Sequence, residues 1–229
     1  MKKYLFIVLL VVFWNCKESH ILNYEIRLSD DKSEDTPLII LMHGYGGNAK
    51  SHSKKGDFST DISVVYLDAP YEIIPLSSRK KWYNFKIENG DTTSNQNQIK
   101  ESIQLALNTI KKVIKENEIK SKHVYIGGHS QGGIITYEIA LTYPDFFKGF
   151  IISSGRLPIE YTVKNDLSQY HNKKALIIHG KNDSVLELKY SSAGKNLMEK
   201  LGMNTYYVIK EGGHRQTPEF YVIVENWIK

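Results

Sequence analysis

Ser130, Asp183 and His214 are the side chains of this sequence whose types and order suit nucleophilic chemistry. A serine hydroxyl is a poor nucleophile at neutral pH. It becomes a good one when a histidine takes its proton and later gives it to the leaving group. A carboxylate must then hold the imidazole in one tautomer and stabilise its charged form. Ser130 sits in Gly128-His129-Ser130-Gln131-Gly132, a G-x-S-x-G sequence. The apolar run Val124-Tyr125-Ile126 precedes it, and an apolar stretch through Tyr143 follows it up to Pro144. Strand, sharp turn and helix are the context a nucleophile elbow requires, with glycines two residues either side so that strand and helix can approach. The motif alone also describes many ordinary glycine-rich turns, so its partners decide its meaning.

Asp183 and His214 each have a plainer reading. Asp183 is placed to cap a helix starting near Leu186, and His214 follows two glycines in what reads as a surface turn. Glu187 and Asp166 are alternative acids, and seven other histidines compete with His214. Position separates them. Ser130, Asp183 and His214 each lie in a loop directly after a strand, and sites in parallel sheets form beyond the carboxyl ends of the strands. Two backbone N–H groups must also hold the developing oxyanion. The residue after the nucleophile, Gln131, offers one. The glycine-rich loop His43-Gly44-Tyr45-Gly46-Gly47 offers the other at Tyr45.

The elements that position these groups alternate along the chain. Ile21 to Leu28 alternates apolar and polar residues, as an edge strand does. Leu38-Ile39-Ile40-Leu41-Met42 is apolar throughout, the mark of a strand buried on both faces. Further strands are predicted at Ile62–Leu67, Phe147–Ser153, Ala175–Ile178 and Thr205–Ile209. Ser51–Thr60 reads as a short helix or loop. Ile99, Ile103, Leu107, Ile110 and Ile114 make one apolar stripe of a helix over Asn95–Glu118. Glu187–Leu201 and Thr217–Ile228 are helical. Alternating strands and helices predict an α/β fold with a mostly parallel central sheet and helices on both faces. Residues 68–94 and 154–172 read as long, mostly polar loops, with no separate cap domain. Those polar loops predict short or bulky acyl groups rather than long fatty chains.

Composition sets the outer bounds. A chain of 229 residues with 41% apolar and 24% charged residues is one globular unit with a sizeable core. The formal net charge of +5 is spread among interspersed acids and bases, which argues against a nucleic-acid partner. The one cysteine excludes an intrachain disulfide. Neither a cysteine cluster nor an H-E-x-x-H points to a metal, and the chemistry needs no cofactor. Lys2-Lys3, the apolar run Tyr4–Trp14 and then Cys16 have the layout of an export signal. The expectation is a leader over 1–15 of lipoprotein type, Cys16 as the lipidated new N-terminus, and a catalytic domain over 21–229. The protein is then exported, and anchored to the membrane only by that lipid.

Leu41-Met42-His43-Gly44-Tyr45-Gly46, Trp82-Tyr83-Asn84, Gly127 to Gly133, His179-Gly180-Lys181-Asn182-Asp183 and Gly213-His214 together resemble the α/β-hydrolase family of phospholipases and small carboxylesterases, the acyl-protein thioesterases among them. The order Ser…Asp…His is that of α/β-hydrolases. The resemblance implies a single α/β-hydrolase domain with Ser130, Asp183 and His214 as its triad, and places Trp82 and Tyr83 at the substrate pocket. Asn84 stands where that family usually carries an acid. The implied activity is hydrolysis of a small-molecule or carbohydrate-linked ester. Feruloyl or acetyl-xylan esterase, thioesterase and peptidase chemistry are alternatives on the same fold, and a catalytically silent binding protein is the alternative outside enzymes.

Overall fold

The computed structural model describes residues 21–229 apart from residues 90 and 165, so the expected leader and Cys16 lie outside the described residues. In chain order the elements begin with β1 (Tyr24–Arg27), β2 (Leu38–Met42), α1 (Ala49–His52) and β3 (Ser63–Leu67). The short strands β4 (Tyr71–Glu72), β5 (Lys80–Lys81), β6 (Phe85–Glu88) and β7 (Asp91–Ser94) follow. Then come α2 (Gln96–Glu116), β8 (Val124–His129), α3 (Gln131–Thr142), β9 (Gly149–Ser153) and β10 (Lys174–Gly180). The described chain closes with α4 (Leu188–Lys200), β11 (Asn204–Lys210) and α5 (Glu219–Ile228).

Seven strands form the central sheet in the order β1-β3-β2-β8-β9-β10-β11. All neighbours pair in parallel except β1, which runs antiparallel along the edge of β3. Continuous apolar strands make sense in this sheet because both faces are covered. Leu38, Ile40 and Met42 of β2 face one core with α2, α3 and α4, while Ile39 and Leu41 face a second core with α1 and α5. The stripe read from Ile99 to Ile110 is the buried face of α2. Helix α3 is buried nearly all round, as its apolar sequence requires.

The strand order explains where the site lies. From β2 the chain steps outward to β3, then returns to β8 on the other side of β2. The loops after β2 and β8 therefore leave neighbouring strands in opposite directions, which opens a crevice at the carboxyl edge. The Tyr45 loop and the Ser130 turn are those two loops.

Residues 68–94 are not a loop as the sequence reading expected. β4 and β5 pair as a small ladder, and β6 and β7 pair as a hairpin in which Glu88 faces Asp91 across a two-residue connection. Asn89 takes a positive φ of 52°, and Asn-Gly at positions 89–90 is the pair that such tight hairpin turns favour. Alternation in Phe85-Lys86-Ile87-Glu88 was the other signal. Residues 154–172 are irregular apart from a 3-10 turn at Leu167–Tyr170.

Candidate active site

Ser130 lies between the last residue of β8 and the first of α3, with φ 54° and ψ −115°. A non-glycine residue here is strained by roughly 1–3 kcal/mol and persists only where its surroundings hold it. They do. Ser130 N–H donates to Ser153 O on β9 at 2.9 Å, and Ser130 O accepts from Ile134 N–H at 3.0 Å. A Cβ on Gly128 would collide with the backbone of Gly132, and one on Gly132 with the carbonyl of Met42. The two glycines therefore permit the crossing of strand and helix that puts the serine at the crest of the turn.

His214, in the loop after β11, approaches Ser130 from the side, with Nε2 2.7 Å from Ser130 Oγ. Its Nδ1 lies 2.7 Å from Asp183 Oδ2. A carboxylate only accepts, so Nδ1 carries the proton, and Nε2 is left to accept from the serine hydroxyl. Asp183, in the turn after β10, has a side chain with no exposure to solvent. Burial pushes its pKa up, but N–H donation from Leu186, the bond from His214 and N–H donation from Val185 outweigh burial and hold the carboxyl below its usual range. Asp183 does not cap α4, which starts at Leu188 with no side-chain cap; its Oδ1 instead holds the preceding turn, accepting from Val185 N–H at 2.9 Å and Leu186 N–H at 2.8 Å. The competing acids are engaged elsewhere. Glu187 pairs with Lys189 at 2.8 Å, and Asp166 caps the 3-10 turn through Ser168.

The Tyr45 loop is tied down on both flanks. Gly46 N–H donates to Lys80 O at 2.8 Å, Lys80 N–H to Gly47 O at 2.9 Å, and Gly47 N–H to Gly44 O at 3.1 Å. Tyr45 N–H and Gln131 N–H have no acceptor among the described residues, the second because it begins α3. The loop runs close beside the serine: a Cβ on Gly44 would stand 3.2 Å from Ser130 Cβ.

Several histidines that compete with His214 prove to be buried fixtures. His43 spans its own loop, with Nδ1–H donating to Gly44 O at 2.7 Å and Nε2 accepting from Ala69 N–H at 3.0 Å. Burial lowers its pKa. Burial likewise brings His129 and His52 down to about 3, so both stay neutral where His214 works. His179 Nε2 donates to Leu186 O at 2.7 Å and lies 3.4 Å from Asp183 Oδ2, a second hold on the acid's turn.

Trp82 does not line the pocket. It has no solvent exposure, and its indole N–H donates to His43 O at 2.8 Å beneath the Tyr45 loop. A large ring with one polar atom fits a buried site that offers an acceptor. Tyr83 does line the cavity, which holds about 580 Å³ above Ser130. The side chain of Gln131, which the sequence suggested only as a backbone donor, binds this segment: Oε1 accepts from Trp82 N–H and Nε2 donates to Tyr83 O, both at 2.8 Å. Phe85 and Ile87 of the hairpin join Ile134 and Leu186 in the cavity wall. The wall that residues 68–94 give the cavity is thus mixed, with Phe85 and Ile87 beside Thr92 and Ser94 rather than polar throughout, which removes the premise for expecting short or bulky acyl groups.

An elbow serine joined to a histidine and a buried aspartate, on a parallel sheet that reverses direction at the site, defines a serine hydrolase of the α/β-hydrolase type. The chain belongs to the phospholipase/carboxylesterase family, whose sequence profile matches residues 24–229, and is a carboxylic ester hydrolase. It is similar to acyl-protein thioesterase 1 homolog 1 of Dictyostelium discoideum, with 27% identity over 192 residues that cover 79% of this chain and 84% of that one. It is also similar to carboxylesterase SOBER1 of Arabidopsis thaliana, with 21% identity over 207 residues, 84% of this chain and 89% of the other. The crystal structure of a Bacillus cereus carboxylesterase superposes with a TM-score of 0.75 at 17% identity, covering 90% of this chain and 93% of that one.

Proposed function

We propose that the protein cleaves carboxylic esters through an acyl-serine intermediate, with Ser130 as nucleophile, His214 as base and then acid, and Asp183 as the carboxylate that orients His214. The observation that carries this reading is the unbroken chain of two 2.7 Å contacts from Ser130 Oγ through His214 to Asp183. Ser130 Oγ attacks the acyl carbon as His214 Nε2 takes its proton. The carbonyl electron pair moves onto oxygen, facing the N–H groups of Tyr45 and Gln131. When the carbonyl re-forms, the ester C–O bond breaks and the departing alcohol takes the proton from His214. Water, deprotonated by the same histidine, then releases the acid and restores Ser130.

The test is hydrolysis by purified protein across a panel that varies acyl length and includes feruloyl, acetyl-sugar and thioester substrates. A serine-directed phosphonate should attach to Ser130 and abolish turnover. Turnover that survives full labelling of Ser130 would overturn the assignment.

Export is part of the same proposal. The support is the order of a basic pair, an apolar run and the sole cysteine in residues 2–16. Wild type should fractionate with membranes outside the cytoplasm, and Cys16→Ser should be released from them. Equal solubility of the two proteins outside the cytoplasm would remove the lipid anchor.

A further inference from the structure

The cavity over Ser130 is lined by two cations, Lys55 and Arg156, and by no acid among the described side chains, which do not include that of residue 91. Neither cation has an ion-pair partner among the described side chains. Arg156 follows β9 and is half-buried. One guanidinium nitrogen, Nη1, donates to Leu157 O at 2.9 Å, which fixes the plane of the group. The remaining guanidinium N–H groups have no acceptor among the described residues. Its charge acts on the Tyr83 hydroxyl, so it stands on the Tyr83 side of the cavity. Lys55 follows α1 and is exposed as a residue, yet burial at its ammonium end holds its pKa below the ordinary lysine range. It lines the cavity together with His129.

Burial costs the Lys55 ammonium part of its hydration, and no described acid compensates either cation in the cavity. An anion held there supplies that missing charge, and a cleft concentrates the attraction. Arg156, with its fixed fork of donors, suits a planar oxyanion, while Lys55 acts as a point charge. Resting on the ester-hydrolase reading above, we propose that the preferred substrates are esters carrying an anionic group, a carboxylate or a phosphate, within reach of the scissile bond. Arg156 is its main counter-ion and Lys55 the second. Phe85, Ile87 and Ile134 take the apolar part that links this anion to the ester.

The experiment compares matched esters that differ in one charge. Monoethyl succinate against ethyl butyrate puts the anion on the acyl side. 4-Acetoxybenzoate against 4-acetoxybenzamide puts it on the alcohol side, and 4-acetoxyphenyl phosphate replaces carboxylate by phosphate. The readout is the ratio of kcat/KM for the charged and neutral members, measured on one preparation so that the folded fraction cancels. On at least one side this ratio should fall about tenfold in Arg156→Gln and further in Arg156→Glu, with a smaller fall in Lys55→Gln. Raising the salt should lower it in wild type. A ratio that stays within about twofold of wild type in all three variants, on both sides, overturns the anion site while leaving the ester-hydrolase reading intact. Wild type that hydrolyses no member of the wider panel above, with Ser130 left unlabelled by the phosphonate, overturns that reading and this inference with it.

Discussion

Asp183 serves His214 with one oxygen and its own turn with the other: Oδ2 accepts from His214 Nδ1–H at 2.7 Å, and Oδ1 from the N–H groups of Val185 and Leu186. The division allows a clean experiment. In Asp183→Asn the amide oxygen can keep both backbone bonds, so the turn should hold its shape. The amide N–H₂ then faces Nδ1 and favours the tautomer with the proton on Nε2, where it blocks transfer from Ser130. We expect kcat on an activated ester to fall roughly a hundred- to ten-thousandfold with the circular dichroism spectrum unchanged. Ser130→Ala and His214→Ala should be at least as damaging, and the triple variant little worse than either, because the three act as a unit. Near-wild-type turnover in Asp183→Asn, with collapse in Glu187→Gln or Asp166→Asn, would move the acid elsewhere.

In the proposed mechanism the loop at Tyr45 acts through its backbone N–H. The Tyr45 ring is half-exposed and meets Phe85 edge-on at 5.5 Å, a contact that Tyr45→Phe retains. That variant should change kcat less than about tenfold, since losing one oxyanion donor typically costs about a hundredfold or more. Gly44→Ala should do more harm. Its new methyl would meet Ser130 Cβ at 3.2 Å and His129 Cδ2 at 3.3 Å, so the nucleophile or the loop must move by a few tenths of an ångström. A fall in kcat of about ten- to a hundredfold with little change in Tm is expected. If Tyr45→Phe proves the more harmful of the two, the hydroxyl itself takes part.

Gln131 should matter to stability through its side chain as well as to catalysis through its N–H. Gln131→Ala strips the buried Trp82 N–H and Tyr83 carbonyl of their partners. Each unpaired buried group costs about 1–3 kcal/mol, so urea denaturation should show a loss of roughly 2–6 kcal/mol. KM should rise as the Tyr83 wall loosens. A loss below about 0.5 kcal/mol would mean that water replaces the amide at no cost.

The central sheet and the triad were legible because each rests on local signals that agree. Leu38–Met42 announces a two-faced strand, Ser130 and Asp183 follow strands of that kind, and His214 follows the edge strand β11. The role of Trp82 was misread because a motif gives neighbours in sequence, whereas burial depends on which carbonyl an indole can reach, here that of His43. The hairpin carrying Phe85 and Ile87 was legible but missed: Asn-Gly between alternating residues is a hairpin signal that the polar content of residues 68–94 obscured. The side-chain bonds of Gln131 and His179 could not be read, since their partners are backbone atoms brought together only by the fold.

Acid should weaken the fold well before the carboxylates are neutralised. His52 and His129 have pKa values near 3 in the folded protein, in both cases through burial, against about 6.5 when unfolded. Between these values the unfolded chain binds two protons that the folded one excludes, so stability is greatest above about pH 6.5 and falls as the pH drops. Glu138 opposes this. Burial raises its pKa to about 7, so between roughly pH 4.5 and 7 the folded protein holds a proton that the unfolded chain releases. Glu138 is only partly buried, so solvent screening narrows the window in which it opposes the histidines; where all three groups act the balance is one net proton, a loss of about 1.4 kcal/mol per pH unit between pH 6.5 and 4.5. The burial of His43, which lowers its pKa as well, adds in the same direction. Below about pH 4.5 Glu138 is protonated in both states and the decline should steepen. Glu138→Gln should steepen it already from pH 6.5, to roughly 2.8 kcal/mol per unit, while His52→Gln should flatten it by about 1.4. Urea unfolding free energies at half-unit steps from pH 7.5 to 4 decide the matter. A profile flat from pH 7 to 5 in wild type and Glu138→Gln alike would show that these histidines take up protons in the folded state, through water that reaches them or side chains that turn outward.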